Sequence, residues 1–186
     1  MKRLFDIVLS ISLLIVCSPL ITVLVLVIRG TSSGPGIYWS ERIGKGGRVF
    51  RMPKLRTMDL DTPSVATNEL SNPEKWLTST GRFLRKSSLD ELPQLWSILK
   101  GDMSFVGPRP VLVNETDLIE ARRAFGLERL VPGLTGLAQI NGRDHLSIKD
   151  KVSFDLDYMR RQTLLLDISI VMITAYRVLR RDGVRH

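Results

Sequence analysis

The stretch KSSLDELPQLW, residues 86–96, sets two carboxylates side by side, Asp90 and Glu91. Arg82, Arg85 and Lys86 stand just before them, Lys54 and Arg56 earlier, and Arg109 later in FVGPRPVL. Three readings compete: solvated surface charge, a helix cap, or chemistry. Ser88 and Glu91 have the Ser-x-x-Glu spacing of a capping box. With Ser88 as the cap, however, Pro93 falls just beyond the first turn, where its missing N–H costs a bond. A helix that starts near Asp90 or later avoids that loss and leaves both acids at its positive end, which favours anions. For chemistry, the excess of cations points to a phosphate-bearing substrate between the two sets. Aspartate attacks phosphorus to give an acyl phosphate. A carboxylate next door suits Mg²⁺, which takes oxygen ligands and bridges to substrate phosphates. Neighbouring side chains on a helix diverge, so one acid can face phosphorus and the other the metal.

These residues need a scaffold, and 186 residues are enough for one domain with a real core. A hydrophobic fraction of 44% with 25% charged residues is a globular composition. The net charge of +8 calls for an anionic partner: nucleic acid, a phosphorylated small molecule or an anionic membrane. The single cysteine, Cys17, excludes an internal disulfide and a cysteine-based metal site. His145 and His186, the only histidines, lie far apart, which argues against a His-activated nucleophile or a zinc site.

The N-terminus narrows the partner. No residue from Ile7 to Ile28 is charged. As a helix this run is roughly 33 Å long, about the thickness of a hydrocarbon core. It is too long for a signal-peptide core and lacks an A-x-A cleavage pattern, so it reads as a retained membrane segment. Ser18-Pro19 sits midway, where proline bends a helix. Lys2 and Arg3 precede the run, and Arg29, Arg42, Lys45, Arg48, Arg51, Lys54 and Arg56 follow it against one acid, Glu41. Both flanks therefore favour the cytoplasm. A helix that enters, breaks at Ser18-Pro19 and leaves by the same face satisfies both; a kinked ordinary span is the alternative.

Beyond the small-residue linker GTSSGPG, residues 37–58 read as two short strands around a Gly-Lys-Gly-Gly turn. Residues 59–80 are polar and read as loop. Helices are expected within 91–100, stopping near Gly101, and over 114–126, 147–161 and 164–181. PGLTGLAQI reads as a turn leading into a strand. The last helix is apolar at first and ends in Arg177, Arg180 and Arg181. It suits either a membrane interface, apolar side down, or a core position with a basic end that matches its dipole.

Taken together, KRLFDI, the Ser18-Pro19 break, ERIGKGG, KLRTM, GRFLRKSSLDELPQLWSILKGDMSFVGPRP, PGLTGLAQINGRD and FDLDYMRRQTLLLDI, with its Asp155, Tyr158 and Asp167, cover nearly the whole chain. In these motifs the sequence resembles the bacterial sugar transferases, specifically the small monotopic polyprenyl-phosphate phosphoglycosyl transferases. The resemblance implies a mixed α/β, mostly helical fold. A re-entrant helix-break-helix membrane hairpin over residues 1–30 would precede a catalytic domain over 31–186 with interfacial amphipathic helices. The protein would sit in the bacterial inner membrane with that domain on the cytoplasmic face.

The resemblance also implies transfer of a phosphosugar from a UDP-sugar to polyprenyl (undecaprenyl) phosphate, with release of UMP. That reaction is the first membrane step of glycan assembly. Asp90 would be the nucleophile of a ping-pong mechanism through a covalent phosphosugar-aspartate. Glu91 would help bind Mg²⁺, with Mn²⁺ as a substitute. Lys54, Arg85 and Arg109, and less strongly Arg56, would meet phosphates. Three positions depart from the pattern: Ser40 in place of Gln before Glu41-Arg42, Val131 in place of a basic residue, and the missing N-terminal membrane region of larger relatives, which makes this a minimal form.

Two other functions fit parts of the sequence. A non-catalytic basic membrane module for lipid or nucleic acid explains charge and anchor but not the acid pair beside Pro93. With only 6% aromatic residues, stacking on nucleic acid is disfavoured and no nucleic-acid partner is expected. A membrane phosphohydrolase would use the same aspartate chemistry with water as acceptor. The identity of the sugar and the oligomeric state are not written in the sequence.

Overall fold

The computed structural model describes residues 1–63, 65, 70, 72–142 and 145–180. Most of the expected loop core at 64–71, Arg143 and Asp144 of the NGRD motif, Arg181 and His186 lie outside the described residues. The described chain is mostly helical, with two small two-stranded sheets.

Residues Lys2–Thr31 form α1, with Pro19 inside it. Proline cannot donate to the carbonyl of Ile15, and the Ser18 hydroxyl donates to that carbonyl instead, at 3.1 Å. The helical assignment accordingly runs through the Ser-Pro pair without interruption. Both ends of α1 are fastened to the rest of the chain. Near its start, Asp6 is buried and accepts from the Ser104 hydroxyl and the Phe105 amide, each at 3.1 Å. Near its end, Ile28 is fully buried against Leu55 and Leu84. Between these attachments one face of α1 packs on the body and the other is bare: Ile15 and Val16 are 69% and 73% exposed. A long apolar helix with one bare face is one that a membrane can take up, and its length and composition suffice to cross one.

The expected hairpin is present: β1, Ile37–Ile43, pairs antiparallel with β2, Val49–Leu55. Tyr38 lies opposite Lys54, Ser40 opposite Met52, and Arg42 opposite Phe50. Residues opposite each other share a face, so Tyr38, Ser40, Arg42 and Lys54 all project to one side of the ribbon.

After the short 3-10 turn Pro73–Trp76, helix α2 covers Ser79–Ser87, capped by the Thr78 hydroxyl, which accepts from the Gly81 amide at 3.0 Å. This helix was not anticipated within or beyond the basic stretch. It packs tightly on the end of β2: a Cβ at Gly81 would stand 1.9 Å from the Thr57 carbonyl oxygen, which only glycine allows. A 3-10 helix, Leu89–Gln94, then leads into α3, Leu95–Lys100, which stops at Gly101 as expected.

The remainder alternates short strands and helices: β3 Ser104–Val106, α4 Thr116–Ala124, β4 Gly133–Thr135, α5 Leu137–Ile140, α6 Ile148–Arg161 and α7 Leu164–Arg180. PGLTGLAQI is thus a strand followed by a helical turn, not a turn and a strand alone. Strands β3 and β4 run parallel. They meet at glycines, since a Cβ on Gly107 would lie 2.2 Å from the Val131 carbonyl oxygen. The main core joins Met52, Leu95, Ile98, Met103, Phe105, Ile140, Tyr158 and Ile170, with Phe5, Leu9, Leu13 and Leu14 of α1 packed on it. Helix α7 has a buried face and an exposed apolar one. Asp167 and Ile170 are buried, while Leu165, Met172 and Tyr176, at helical spacing, are exposed.

Candidate active site

Asp90 and Glu91 occupy the first turn of the Leu89–Gln94 helix. The capping box is not formed. Ser88 adopts left-handed backbone angles, φ 56° and ψ 16°, and its side chain makes no cap bond. Its amide instead closes the end of α2 on the Arg85 carbonyl at 3.0 Å. A non-glycine residue in this conformation is uncommon and costs energy. The reversal it creates takes the chain from the basic face of α2 directly into the acid pair.

On the tight helix the two carboxylates diverge. Asp90 turns inward and is 7% exposed. Glu91 is half-buried, and among its described partners Lys54 Nζ donates to its Oε1 at 3.1 Å and Arg109 Nη1 lies 3.7 Å from the same oxygen. The nearest lysine nitrogen to Asp90 Oδ2, again Lys54, is 4.0 Å away, beyond hydrogen-bond distance. Asp90 is consequently pushed up from 3.8 to about 6. Burial is the main cause; Lys54 opposes it, Glu91 adds to it, and Arg85 and Arg109 oppose it less strongly.

The cations reach this point by different routes. Lys54 comes from the inner face of the hairpin. Arg85 comes from the last turn of α2, with Nε donating to the Thr57 hydroxyl at 3.1 Å. Arg109 comes from the Pro-Arg-Pro turn. These three and the acid pair line one cavity of about 750 Å³, which extends to Leu13 and Cys17 of α1.

Arg56 is placed differently from its neighbour Lys54. It is buried, and its terminal nitrogens donate to the carbonyls of Ser32 and Ser33 and to the Ser32 hydroxyl, just past the end of α1. In this structure it fastens the end of α1 to β2. Arg42, counted from sequence only as flanking charge, belongs to the site. It lines the cavity, its Nε donates to the buried Ser40 hydroxyl at 3.0 Å, and its Nη1 to the Pro110 carbonyl at 3.2 Å. Burial, then repulsion from Arg109, draws it down from 12.5 to about 10. The period-2 alternation Tyr38, Ser40, Arg42 was the available signal, once Lys54 was given a face on the partner strand.

No group of three or more His, Cys, Asp or Glu residues able to hold a metal occurs among the described residues. Among the described residues, the adjacent carboxylates at this site are Asp90 and Glu91. That set fits Mg²⁺, which commonly takes one or two carboxylates and completes its shell with water and substrate phosphates.

Residues 1–181 match the family model described as Bacterial sugar transferase. The chain is 41% identical to the Undecaprenyl-phosphate galactose phosphotransferase of Salmonella typhimurium, over 98% of this chain and 41% of that protein. It is 38% identical to the UDP-glucose:undecaprenyl-phosphate glucose-1-phosphate transferase of Xanthomonas campestris pv. campestris, over 96% of this chain and 38% of that protein. With the Uncharacterized sugar transferase EpsL of Bacillus subtilis it shares 40% identity, over all of this chain and 90% of that protein. The chain therefore spans about two-fifths of the first two relatives and nearly the full length of the third.

Proposed function

The chain belongs to the bacterial sugar transferase family, and we propose that it transfers a phosphosugar from a UDP-sugar to undecaprenyl phosphate, releasing UMP. The activities for which the Salmonella and Xanthomonas relatives are named support the substrate class. The observation that carries the reading is Asp90 itself: a buried carboxylate, 4.0 Å from Lys54 Nζ and so outside its hydrogen-bond reach, on the wall of a cavity whose cations outnumber its acids.

In the first half-reaction an Asp90 carboxylate oxygen attacks the phosphorus that bears the sugar. The bond from that phosphorus to the UMP oxygen breaks, UMP leaves with the electron pair, and an acyl phosphosugar remains on Asp90. In the second, a phosphate oxygen of the lipid attacks the same phosphorus and Asp90 leaves as carboxylate. Arg85 and Arg109 bind the diphosphate, Arg109 as a fork that a lysine cannot reproduce. Lys54 holds Glu91 and moderates the charge on Asp90. Glu91, with Asp90 beside it, would hold Mg²⁺, which neutralises phosphate charge when bound; Mn²⁺ suits the same oxygens.

The lipid acceptor requires a site at a membrane. Residues 1–30 serve as a re-entrant segment bent at Ser18-Pro19, and residues 31–186 as a catalytic body on the cytoplasmic face of the inner membrane. Attachment of both ends of α1 to one body supports this topology. So do the cations on both flanks. Exposed Leu165, Met172 and Tyr176 of α7 would rest on the bilayer surface.

The activity is tested by holding the protein in nanodiscs with UDP-galactose or UDP-glucose and following UMP. Lipid-diphosphate sugar should form only when undecaprenyl phosphate is supplied. Without acceptor, intact mass should rise by one phosphosugar on Asp90. Free sugar phosphate as the product would indicate a hydrolase, and no UMP under any condition would indicate a binding module. For topology, a cysteine inserted beside Met1 in a Cys17→Ser background should resist an impermeant label in intact cells. It should become labelled after Ser18→Leu and Pro19→Leu. Labelling without those changes would establish an ordinary span.

A further inference from the structure

The turn that carries Arg109 is gripped along four consecutive residues. The Gly107 amide donates to the Thr135 carbonyl at 2.9 Å, and the Pro108 carbonyl accepts from the Gly133 amide at 2.8 Å. The Arg109 carbonyl accepts from Arg122 Nη1 at 2.8 Å, and the Pro110 carbonyl from Arg42 Nη1 at 3.2 Å. Prolines on both sides of Arg109 fix φ at 108 and 110 and leave no amide to donate there. The carbonyls of Pro108, Arg109 and Pro110 are thus the main handles of this turn, and guanidiniums hold the last two.

Arg122, on α4, is itself locked from behind. Its Nε and Nη2 lie 2.9 and 2.8 Å from Asp155 Oδ2 on α6, and Asp155 is 2% exposed. One planar guanidinium therefore spans a buried carboxylate and the Arg109 backbone. A lysine ammonium would lack the fixed fork to do both. Asp155 also cancels the charge of Arg122, so this arginine adds no net charge behind Arg109. Asp155 belongs to the FDLDY motif, which the transfer reaction as proposed leaves without a role.

We propose that Asp155 and Arg122 are positioning residues, which fix the backbone of Arg109 so that its guanidinium is pre-aimed past Glu91 at the substrate diphosphate. This inference rests on the transferase reading, in which Arg109 meets phosphate. A positioning effect must vanish when the positioned side chain is gone, whereas a general packing effect must persist.

The test is a double-mutant cycle on the full chain in nanodiscs, with initial rates of UMP release and a thermal melt for every variant. Arg122→Lys and Asp155→Asn are each expected to raise KM for the UDP-sugar about tenfold, with kcat changed less. In an Arg109→Ala background the same two changes should alter KM by less than about twofold. Equal losses in both backgrounds would overturn the inference while leaving the transferase reading intact. Loss of the cooperative melt in both single variants would also overturn it, because the pair would then hold the fold and not the turn. No turnover and no calorimetric binding of UDP by the unmutated protein would remove the transferase reading and this inference with it.

Discussion

Lys2, Tyr158 and Asp167 at the root of α1 and Lys54, Asp90, Glu91 and Arg109 at the cavity are made of similar residues but finished in different ways. At the root, Lys2 Nζ donates to Asp167 Oδ2 at 2.7 Å and to the Val106 carbonyl at 3.0 Å. The Tyr158 hydroxyl donates to Asp167 Oδ1 at 2.7 Å. Each oxygen of Asp167 has its own donor, and burial with Asp167 alongside pushes the Tyr158 phenol far above its ordinary pKa, so it stays neutral. At the cavity, Lys54 leans to Glu91 at 3.1 Å and stands 4.0 Å from Asp90, a looser pair. A closed cluster satisfies its charges internally and fixes geometry. An open one keeps a carboxylate under-compensated, and that carboxylate is available to a substrate.

The sharpest break of the comparison is Asp90→Asn. Turnover should fall on the order of 10⁴-fold or more, as when other nucleophiles are removed, while the melting temperature at pH 8 should hold or rise, since a buried charge is gone. Retained turnover would end the covalent mechanism. The root should respond in the opposite sense. Asp167→Asn or Lys2→Met should cost about 3 kcal/mol of stability by breaking a buried pair, with kcat per folded molecule unchanged. A selective loss of kcat there would erase the distinction between the clusters.

Titration sharpens the contrast. Asp90 is raised from 3.8 to about 6, so the folded chain holds this proton more tightly than the unfolded chain. Between those values stability from this group falls as pH rises, by up to on the order of 3 kcal/mol, and is level above about 6. The rate should move the other way, rising through about pH 6 as the nucleophile ionises. Paired melts and rates of the wild type and Asp90→Asn would check both signs, and a wild-type rate insensitive to pH between 5 and 7 would exclude Asp90 as the titrating nucleophile. The smallest effect is expected at Arg56→Lys. Loss of its fork on Ser32 and Ser33 should cost about 1–2 kcal/mol, with KM for the UDP-sugar unchanged. A raised KM with an unchanged melt would return Arg56 to the phosphate site.

Much of the architecture was legible because its signals are local. The charge-free run from Ile7 to Ile28 gave α1, the Gly-Lys-Gly-Gly turn gave the hairpin, and periodic apolar residues gave α6 and α7 close to their observed ends. The start expected near Asp90 or later falls at Leu89, with Ser88 at the cap position and Pro93 inside the turn, and only the capping side-chain bond is missing. Helix α2 escaped notice because its apolar face is short, Leu84 being its one buried large side chain, amid cations that read as surface charge.

The sequence by itself determined the acid pair, the cations in its company and an apolar segment long enough for a membrane, since each is a matter of composition and spacing within a few turns of chain. Only the tertiary structure decided what each charge is for. Lys54 and Arg56 are two residues apart in KLRTM, yet one meets Glu91 and the other the end of α1. Arg42 is only one of the cations that follow the apolar run in the sequence, yet it holds the turn of Arg109 together with Arg122. The physical reason is that a charge acts through its burial and its nearest partner, and both are set by contacts between residues tens of positions apart, which no local pattern records.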